Sequence, residues 1–261
     1  MPVALTIGGS DPSGGAGIQA DLKTFHQFGA YGEAVITLLT VQNTRRAGRV
    51  EVLPPVLVME QLEAVLEDIP PAAAKTGALG SGDIVAALGR AAAGFGFPLV
   101  VDPVMIGKQG QPLLDNPAMD VFRDELLPRA ALITPNVPEA EALTGLAIRG
   151  LEEVRRAAEI LSGMGARAVL IKGGHLADDE SVIDVLLNGG DWSEFPAARL
   201  KTRHTHGTGC TYSAAITAGL ACGQTLTTAV TCAKQYVHEA IRTAPALGTG
   251  FGPLNHHAAI R

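Results

Sequence analysis

The sequence predicts an α/β protein in which a mostly parallel sheet is covered by helices on both faces. Short apolar runs of strand length alternate with longer stretches of helical periodicity along most of the chain. The apolar runs are almost uninterrupted, which is typical of strands that are buried on both faces. Because no repeat, linker or change in composition divides the chain, we expect one domain over residues 1–261.

The predicted elements follow this alternation in order. Helical spacing is clearest where Ile18, Leu22 and Phe25 fall on one side of a helix. Strands are predicted at Val3–Gly8, Val35–Val41, Ala72–Lys75, Pro98–Val101, Ala131–Thr134 and Ala168–Ile171, with a polar turn at Gln42–Arg46 and a hairpin at Ser181–Leu187 and Asp191–Pro196. Helices are predicted at Gly17–Phe28, Pro55–Ile69, Ser81–Ala93, Pro117–Leu127, Val137–Leu143, Leu151–Met164, Thr208–Cys222 and Thr225–Thr243.

Composition excludes several classes of protein. A formal net charge of −6 argues against a general nucleic-acid binder, which needs a basic face. No apolar run is long enough to span a membrane, and the N-terminus is typical of a first strand instead of a signal peptide, so we expect a cytoplasmic protein. The three cysteines have no metal-binding or disulfide spacing. We expect Cys222 and Cys232 to be packed and reduced.

Polar side chains follow the strands, at the point where each strand ends. In a parallel sheet these carboxyl ends share one edge, where ligands bind. We therefore expect the polar clusters to meet at one site, and they are Gly8–Gly17, Gln42 with Asn43, Lys75–Gly77, Asp102–Met105, Asn136–Glu139 and Lys172–His175.

The segment from His204 to Ile216 combines a glycine-rich turn with the start of a helix. Gly207 and Gly209 flank Thr208, so the backbone there can approach a ligand closely. The first amides of a helix lack intrahelical partners and favour an anion such as phosphate. Cys210 lies in this field, which predicts a lowered thiol pKa and a role as base or nucleophile. A plain tight turn is the alternative interpretation.

A second glycine pattern favours a different chemistry. Residues Gly15–Ala20 match Gly-x-Gly-x-x-Ala, a form of the dinucleotide fingerprint of NAD-dependent dehydrogenases. The match is weak because SDPSG separates it from the first strand, and because Gln42, not an acid, ends the second strand. Asp11 and Asp21 are interpreted as polar anchors or helix caps. No Walker A sequence occurs in the chain.

The motifs taken together closely resemble the hydroxymethylpyrimidine/phosphomethylpyrimidine kinases of thiamine biosynthesis, a family of the ribokinase-like superfamily. The segments that carry the resemblance are LTIGGSDPSGGAGIQADLKTF, KTG, VDPVM, TPNVPEAEAL, IKGGH and HGTGC, in the family's order. The resemblance implies a ribokinase-like three-layer α/β/α sandwich with a mostly parallel central sheet. It further implies a homodimer that uses ATP and Mg²⁺ to phosphorylate 4-amino-5-hydroxymethyl-2-methylpyrimidine (HMP) and then HMP phosphate.

The resemblance also implies roles for the residues at the nucleotide end. Asn136 and Glu139 form the superfamily's Asn-x-x-Glu element near the nucleotide, with Glu139 holding Mg²⁺ through water and Asp102 as the second acid. Lys172 and Thr205 are expected to contact the nucleotide.

At the reacting end, most ribokinase-like kinases carry an aspartate base where this chain has Cys210, as expected of its branch. The amides of Gly207, Thr208 and Gly209 would stabilise the transferred phosphoryl group. Phosphoryl transfer with a loose transition state needs positioning more than strong deprotonation, so a cysteine base suffices.

The aminopyrimidine is expected to be recognised by Gln42, whose amide can both accept from and donate to the ring edge. Matching positions supply the rest of the substrate site: Gly9, Ala16, Asp21, Val104 and Ala78, where the family commonly has methionine. Lys75 is expected to support the turn at Gly77. For His204 and His206 we expect a turn or nucleotide-edge role, and for residues 13–17 a lid.

Three alternatives stay open. The Cys210 motif is shared with pyridoxal kinases, although Gln42 and the SDPSGGAG loop favour the pyrimidine. A non-catalytic pyrimidine-binding sensor and an NAD-dependent dehydrogenase are the others.

Overall fold

A computed structural model describes residues 1–107, 110–111, 113–114, 116–176 and 180–260. Its strands form one sheet in the order β3-β2-β1-β4-β5-β6-β7-β8-β9. They are β1 Val3–Ser10, β2 Tyr31–Gln42, β3 Ala47–Val52, β4 Ala73–Thr76, β5 Leu99–Val101, β6 Leu132–Ile133, β7 Ala168–Ile171, β8 Ser181–Asn188 and β9 Asp191–Ala198. The strands from β2 to β7 in this order are parallel to their neighbours, while β3, β8 and β9 join the sheet antiparallel.

Helices cover both faces of the sheet. They are α1 Gly17–Gln27, α2 Pro55–Asp68, α3 Gly82–Ala92, α4 Asn116–Val121, α5 Val137–Thr144, α6 Leu151–Gly163, α7 Thr208–Ala221 and α8 Leu226–Arg242. Helix α7 packs on α1 and α8 on one face, whereas α2, α3, α5 and α6 contribute to the core on the other. No helix in the described part of the chain is long and apolar enough to cross a membrane.

The strand side chains alternate between the apolar clusters on the two faces of the sheet. In β7, Val169 and Ile171 join the core under α2, α3, α5 and α6, while Leu170 joins the core under α7 and α8. Both sets are fully buried, which explains why the sequence of β7 is continuously apolar.

The predicted fold class is confirmed, and the antiparallel hairpin of β8 and β9 is where the sequence predicts it. Strand β3 was missed because its residues, AGRVEV, are mostly polar or small and lie exposed at the sheet edge. The helix predicted over Pro117–Leu127 ends as an α-helix at Val121 and continues as a π-helical and then a 3₁₀ turn. Cys222 is an exposed free thiol, so its predicted packing is wrong.

Candidate active site

A cavity of about 520 Å³ opens at the carboxyl ends of the parallel strands. Each of the six polar clusters contributes at least one residue to its lining, so the predicted convergence is confirmed. The glycine turn before α7 forms another part of the wall, and Cys210 faces the same cavity. The parallel strands therefore bring six segments that are distant in sequence to the same edge of the sheet.

The turn before α7 has the geometry of an anion-binding helix start. Gly207 is the N-cap residue and has φ +83°, a left-handed conformation that favours glycine. A Cβ at this position would overlap the carbonyl oxygen of Gly15, so the turn lies directly against the loop before α1. The Thr208 hydroxyl donates to the Thr205 carbonyl at 2.8 Å and holds the turn closed.

The Cys210 thiol does not have the lowered pKa that its place at a helix start predicts. Burial raises the pKa of Cys210 to about 11; the charge of Lys75 lowers it, but Asp21 and Asp102 raise it further. The cause is burial: removal from water destabilises the thiolate more than the helix dipole and the Lys75 ammonium stabilise it. The group is therefore mainly a thiol at neutral pH.

Lys75 and Asp21 form a buried ion pair in the cavity wall. The Lys75 ammonium donates to the two Asp21 carboxylate oxygens at 2.9 and 3.0 Å, and the Thr6 hydroxyl donates to the same carboxylate at 2.7 Å. The two charged side chains are 0% and 2% exposed. Burial opposes the charge of Lys75, but Asp21 and Cys210 raise its pKa overall. Lys75 lines the cavity and holds Asp21, so it has a role beyond the turn at Gly77, and its expected support of that turn stays a prediction.

A second pair joins Lys172 to Asp102 at 2.9 Å. The Thr134 and Ser213 hydroxyls donate to the Asp102 carboxylate at 3.1 and 3.3 Å. Burial raises the pKa of Asp102, but the lysines more than compensate, so it lies below its usual value. A Cβ on Gly209 would come within 3.4 Å of the Lys172 ammonium, which places this pair beside the start of α7.

Asn136 and Glu139 form a capping box at the start of α5. The Asn136 side chain accepts from the Glu139 amide at 2.9 Å, and the Glu139 carboxylate accepts from the Asn136 amide at 2.8 Å. Burial raises the pKa of Glu139 to about 7, with Lys172 acting in the opposite direction. Each side chain therefore has a structural task that sequence reasoning missed, although the Asn-x-x-Glu spacing is a capping-box signature.

The predicted substrate residues lie along the other wall of the cavity. Gln42 is the last residue of β2, and Gly9 is the next-to-last residue of β1. A Cβ on Gly9 would lie 2.6 Å from the Leu38 side chain and 3.6 Å from Ala78, so this wall is tightly packed. The Ala78 carbonyl accepts from the Thr37 hydroxyl at 2.6 Å, and Ala16, Asp21 and Val104 complete the lining.

His206 is buried, and it lies in the turn directly before the N-cap Gly207, which agrees with the turn role expected of it; the nucleotide-edge role stays a prediction. Its Nε2 lies 2.8 Å from an Asp11 carboxylate oxygen. His204 packs beside Gly252, and its Nδ1 has no hydrogen-bond partner among the described residues. Opening of residues 13–17 as a lid would disturb the contact between Asp11 and His206. The lid stays a prediction.

The residues present fit a magnesium ion that is held mainly by water and phosphate. Among the described residues, no group of three His, Cys, Asp or Glu side chains could by itself hold a metal ion. Asp102 and Glu139 both line the cavity and interact electrostatically. Two carboxylates suit Mg²⁺, which keeps several waters and binds nucleotide phosphates.

This fold has a cysteine and two lysine–aspartate pairs around a helix N-terminus that is suited to binding an anion. The combination defines a small-molecule kinase of the ribokinase-like class. The family model for phosphomethylpyrimidine kinase matches residues 11–255. The chain belongs to the phosphomethylpyrimidine kinase family, and it is therefore a phosphotransferase. The dehydrogenase alternative is excluded.

Individual relatives agree with this assignment. The chain is 48% identical over 257 residues to the hydroxymethylpyrimidine/phosphomethylpyrimidine kinase of Rhizobium meliloti, covering 97% of this chain and 96% of that protein. It is 47% identical over 253 residues to the thiamine biosynthesis bifunctional protein ThiED of Geobacter sulfurreducens, covering 97% of this chain but 51% of that protein. The solved pyridoxal kinase of Staphylococcus aureus in complex with AMP-PCP has a TM-score of 0.92 at 35% identity, covering 100% and 95% of the two chains.

Proposed function

We propose that this kinase uses Mg-ATP to phosphorylate HMP to HMP phosphate, and HMP phosphate to HMP diphosphate, for thiamine synthesis. The proposal is supported by relatives that are named for both activities and are 42–48% identical over nearly the whole chain. The observation that carries it is one cavity that is lined by Cys210, by both lysine–aspartate pairs and by Gln42.

In this mechanism, the amides at the start of α7 receive the transferring phosphoryl group and Cys210 removes the acceptor's proton. With a thiol pKa of about 11, only a small fraction of Cys210 at neutral pH is the thiolate that can accept this proton. The loose transition state of phosphoryl transfer needs only late proton removal, so positioning and charge stabilisation dominate. The Lys75 ammonium assists because its charge favours the thiolate, the form of Cys210 that can accept the proton.

At the nucleotide end, Lys172, Asn136 and Thr205 would contact ATP. Asp102 and Glu139 would hold Mg²⁺ through water, and the ion would neutralise charge on the phosphates. A cation beside Glu139 offsets the burial that raises the pKa of this acid to about 7.

At the substrate end, Gln42 would accept from the exocyclic amine and donate to a ring nitrogen of the pyrimidine. Gly9, Ala16, Val104 and Ala78 would form close walls around the ring. Asp21 would act through Lys75, since its carboxylate oxygens accept from Lys75 and Thr6.

Pyridoxal kinase activity is the second candidate. The similarity to the Staphylococcus aureus pyridoxal kinase favours it, because the two folds superpose over the whole chain. The sequence identity to that protein, 35%, is lower than the 48% shared with the Rhizobium meliloti kinase. This difference favours the pyrimidine as the main acceptor.

A substrate panel tests the proposal. Purified protein is incubated with Mg-ATP and either HMP or pyridoxal, and products are identified by mass spectrometry. We expect HMP mono- and diphosphate, with a Gln42→Ala variant losing kcat/KM for HMP by roughly tenfold through loss of hydrogen bonds. Pyridoxal phosphate as the sole product would assign the second candidate, and no product with either acceptor would refute the proposal.

We also propose a homodimer and a cytoplasmic location. Leu39 and Val41 are exposed apolar residues at alternate positions of β2, a surface suited to a second copy. The free thiols of all three cysteines suit a reducing compartment. Light scattering on the wild type and on a Leu39→Glu variant tests the dimer; a monomeric wild type would refute it.

A further inference from the structure

The loop before α1 and the turn before α7 meet at one buried contact. The Asp11 and His206 side chains are 2% and 6% exposed, and the two residues are 195 apart in sequence. The other face of the junction is formed by backbone: a Cβ on Gly15 would lie 2.7 Å from the His206 ring, and one on Gly207 would overlap the Gly15 carbonyl. The two segments therefore fit together only with glycine at both positions.

Asp11 organises the loop before α1. One carboxylate oxygen accepts from the Ser13 amide at 2.8 Å, and the other accepts from the Ser13 hydroxyl at 2.8 Å and the Ala16 amide at 2.9 Å. The second oxygen also faces the His206 Nε2. Burial raises the pKa of Asp11, but the bonds from His206 and Ser13 more than compensate. The ionised carboxylate only accepts, so Nε2 carries the proton of this bond.

His206 is held from its other side as well. Its amide donates to the Gly252 carbonyl at 3.1 Å, and the residue forms an isolated bridge with Pro253. It immediately precedes Gly207, the N-cap of α7, so its position sets that of the phosphate-binding turn. The loop that Asp11 holds includes Ala16, on the proposed substrate wall.

We infer that Asp11 and His206 are positioning residues that join the substrate wall to the phosphate-binding turn and so fix the acceptor relative to the transferred phosphoryl group. This inference rests on the proposed function, because it needs an acceptor against Ala16. Misalignment by a fraction of an ångström lowers the rate of transfer far more than the affinity for either substrate. It also leaves hydrolysis of ATP by water comparatively unaffected.

Two substitutions of similar polarity separate this role from a structural one. His206→Gln places an amide nitrogen near the position of Nε2 and can keep the bond, whereas His206→Asn is too short to reach Asp11. Lys23→Met is the matched control, because Lys23 ties the same loop through the Gly14 carbonyl at 2.7 Å but does not contact the α7 turn.

The measurements are kcat, KM for both substrates, and ADP formed per HMP phosphate, together with the unfolding midpoint. For His206→Asn we expect kcat to fall roughly 10- to 100-fold, KM values to stay within about threefold, and the ADP ratio to rise. His206→Gln and Lys23→Met should keep the wild-type ratio. The ratio does not depend on the folded fraction, so loss of stability alone cannot change it.

Asp11→Asn tests the pair from the other side, since an amide offers one acceptor oxygen and cannot satisfy Ser13, Ala16 and His206 together. We expect the same rise in the ADP ratio. Equal behaviour of His206→Asn and His206→Gln, or variants that lose only stability or fail to fold, would assign the pair a structural role and overturn the inference. A wild-type protein that phosphorylates neither acceptor would instead refute the proposed function.

Discussion

Two lysine–aspartate pairs line the cavity that contains Cys210, and they differ in their access to solvent. The Lys75 and Asp21 side chains are 0% and 2% exposed, and the ammonium contacts both carboxylate oxygens. The Lys172 side chain is 14% exposed, and its partner Asp102 is shared with two hydroxyls. The first pair is closed to solvent at both charged groups, whereas the second is partly open at Lys172.

The difference indicates a division of tasks. A closed pair cannot exchange its partner for a phosphate without exposing a buried charge, so its main effect on the reaction is a constant field at the thiol. An open pair can reorganise when nucleotide charge arrives. We therefore expect substitutions in the closed pair to affect stability and kcat, and substitutions in the open pair to affect mainly nucleotide affinity.

The largest expected effect is that of Lys75→Met. It leaves the Asp21 carboxylate buried without its cation, which typically costs about 3–5 kcal/mol of unfolding free energy. Chemical denaturation of wild type and variant at neutral pH measures this loss. Lys75→Met combined with Asp21→Asn should regain much of the stability but not the activity, because the field at Cys210 is still missing.

The exposed pair Arg49–Glu51, whose side chains are 75% and 54% exposed, provides the control. Arg49→Met should change the unfolding free energy by less than about 1 kcal/mol. A loss of the same size in Lys75→Met and Arg49→Met would show that closure of the Lys75 pair has no energetic consequence.

A smaller effect is expected from Lys172→Met. Loss of a charge-assisted hydrogen bond to phosphate should raise the KM for ATP by roughly tenfold, while the KM for HMP stays close to that of the wild type. Initial rates with each substrate varied in turn provide the measurement. An equal rise in both KM values would contradict the assignment of Lys172 to the nucleotide end.

The smallest effect concerns the capping box of α5. Asn136→Ala removes the side chain that accepts from the Glu139 amide, which should lower the unfolding free energy by about 1 kcal/mol. Asn136→Ser keeps a capping oxygen and should retain most of that stability. Denaturation curves that do not differ between the two variants would show that the cap contributes little.

Sequence patterns predicted the sheet and the convergence of the site because both depend on local regularities. Apolar runs mark buried strands, and polar residues such as Asp102 and Lys172 follow strand ends directly. The same patterns could not reveal the partner of Lys75, which is 54 residues away at Asp21. A helix start predicts a lowered pKa for Cys210, but the pKa depends on burial and on neighbours from other segments.

The sequence patterns also failed to predict the edge strand of the sheet and the contacts made by irregular turns. Strand β3 gives only a short apolar signal, Val50 and Val52, because it is a mostly exposed edge strand that pairs with β2 alone. The contact of His206 with Asp11 joins two segments that are 195 residues apart in sequence, so no local pattern predicts it. Gly15 and Gly207 gave a partial signal, since paired glycines often mark a close approach of two backbones.

The most direct test of Cys210 as the base is the pH dependence of kcat/KM for HMP, measured for the wild type and for Cys210→Ala. With a thiol pKa of about 11, the thiolate fraction of the free enzyme rises about tenfold per pH unit below that value. We expect log kcat/KM of the wild type to rise with a slope near one between about pH 7 and about pH 9.5. Cys210→Ala should be roughly 100-fold less active or lower, without this rise. The same profile and rate in both proteins would contradict the account.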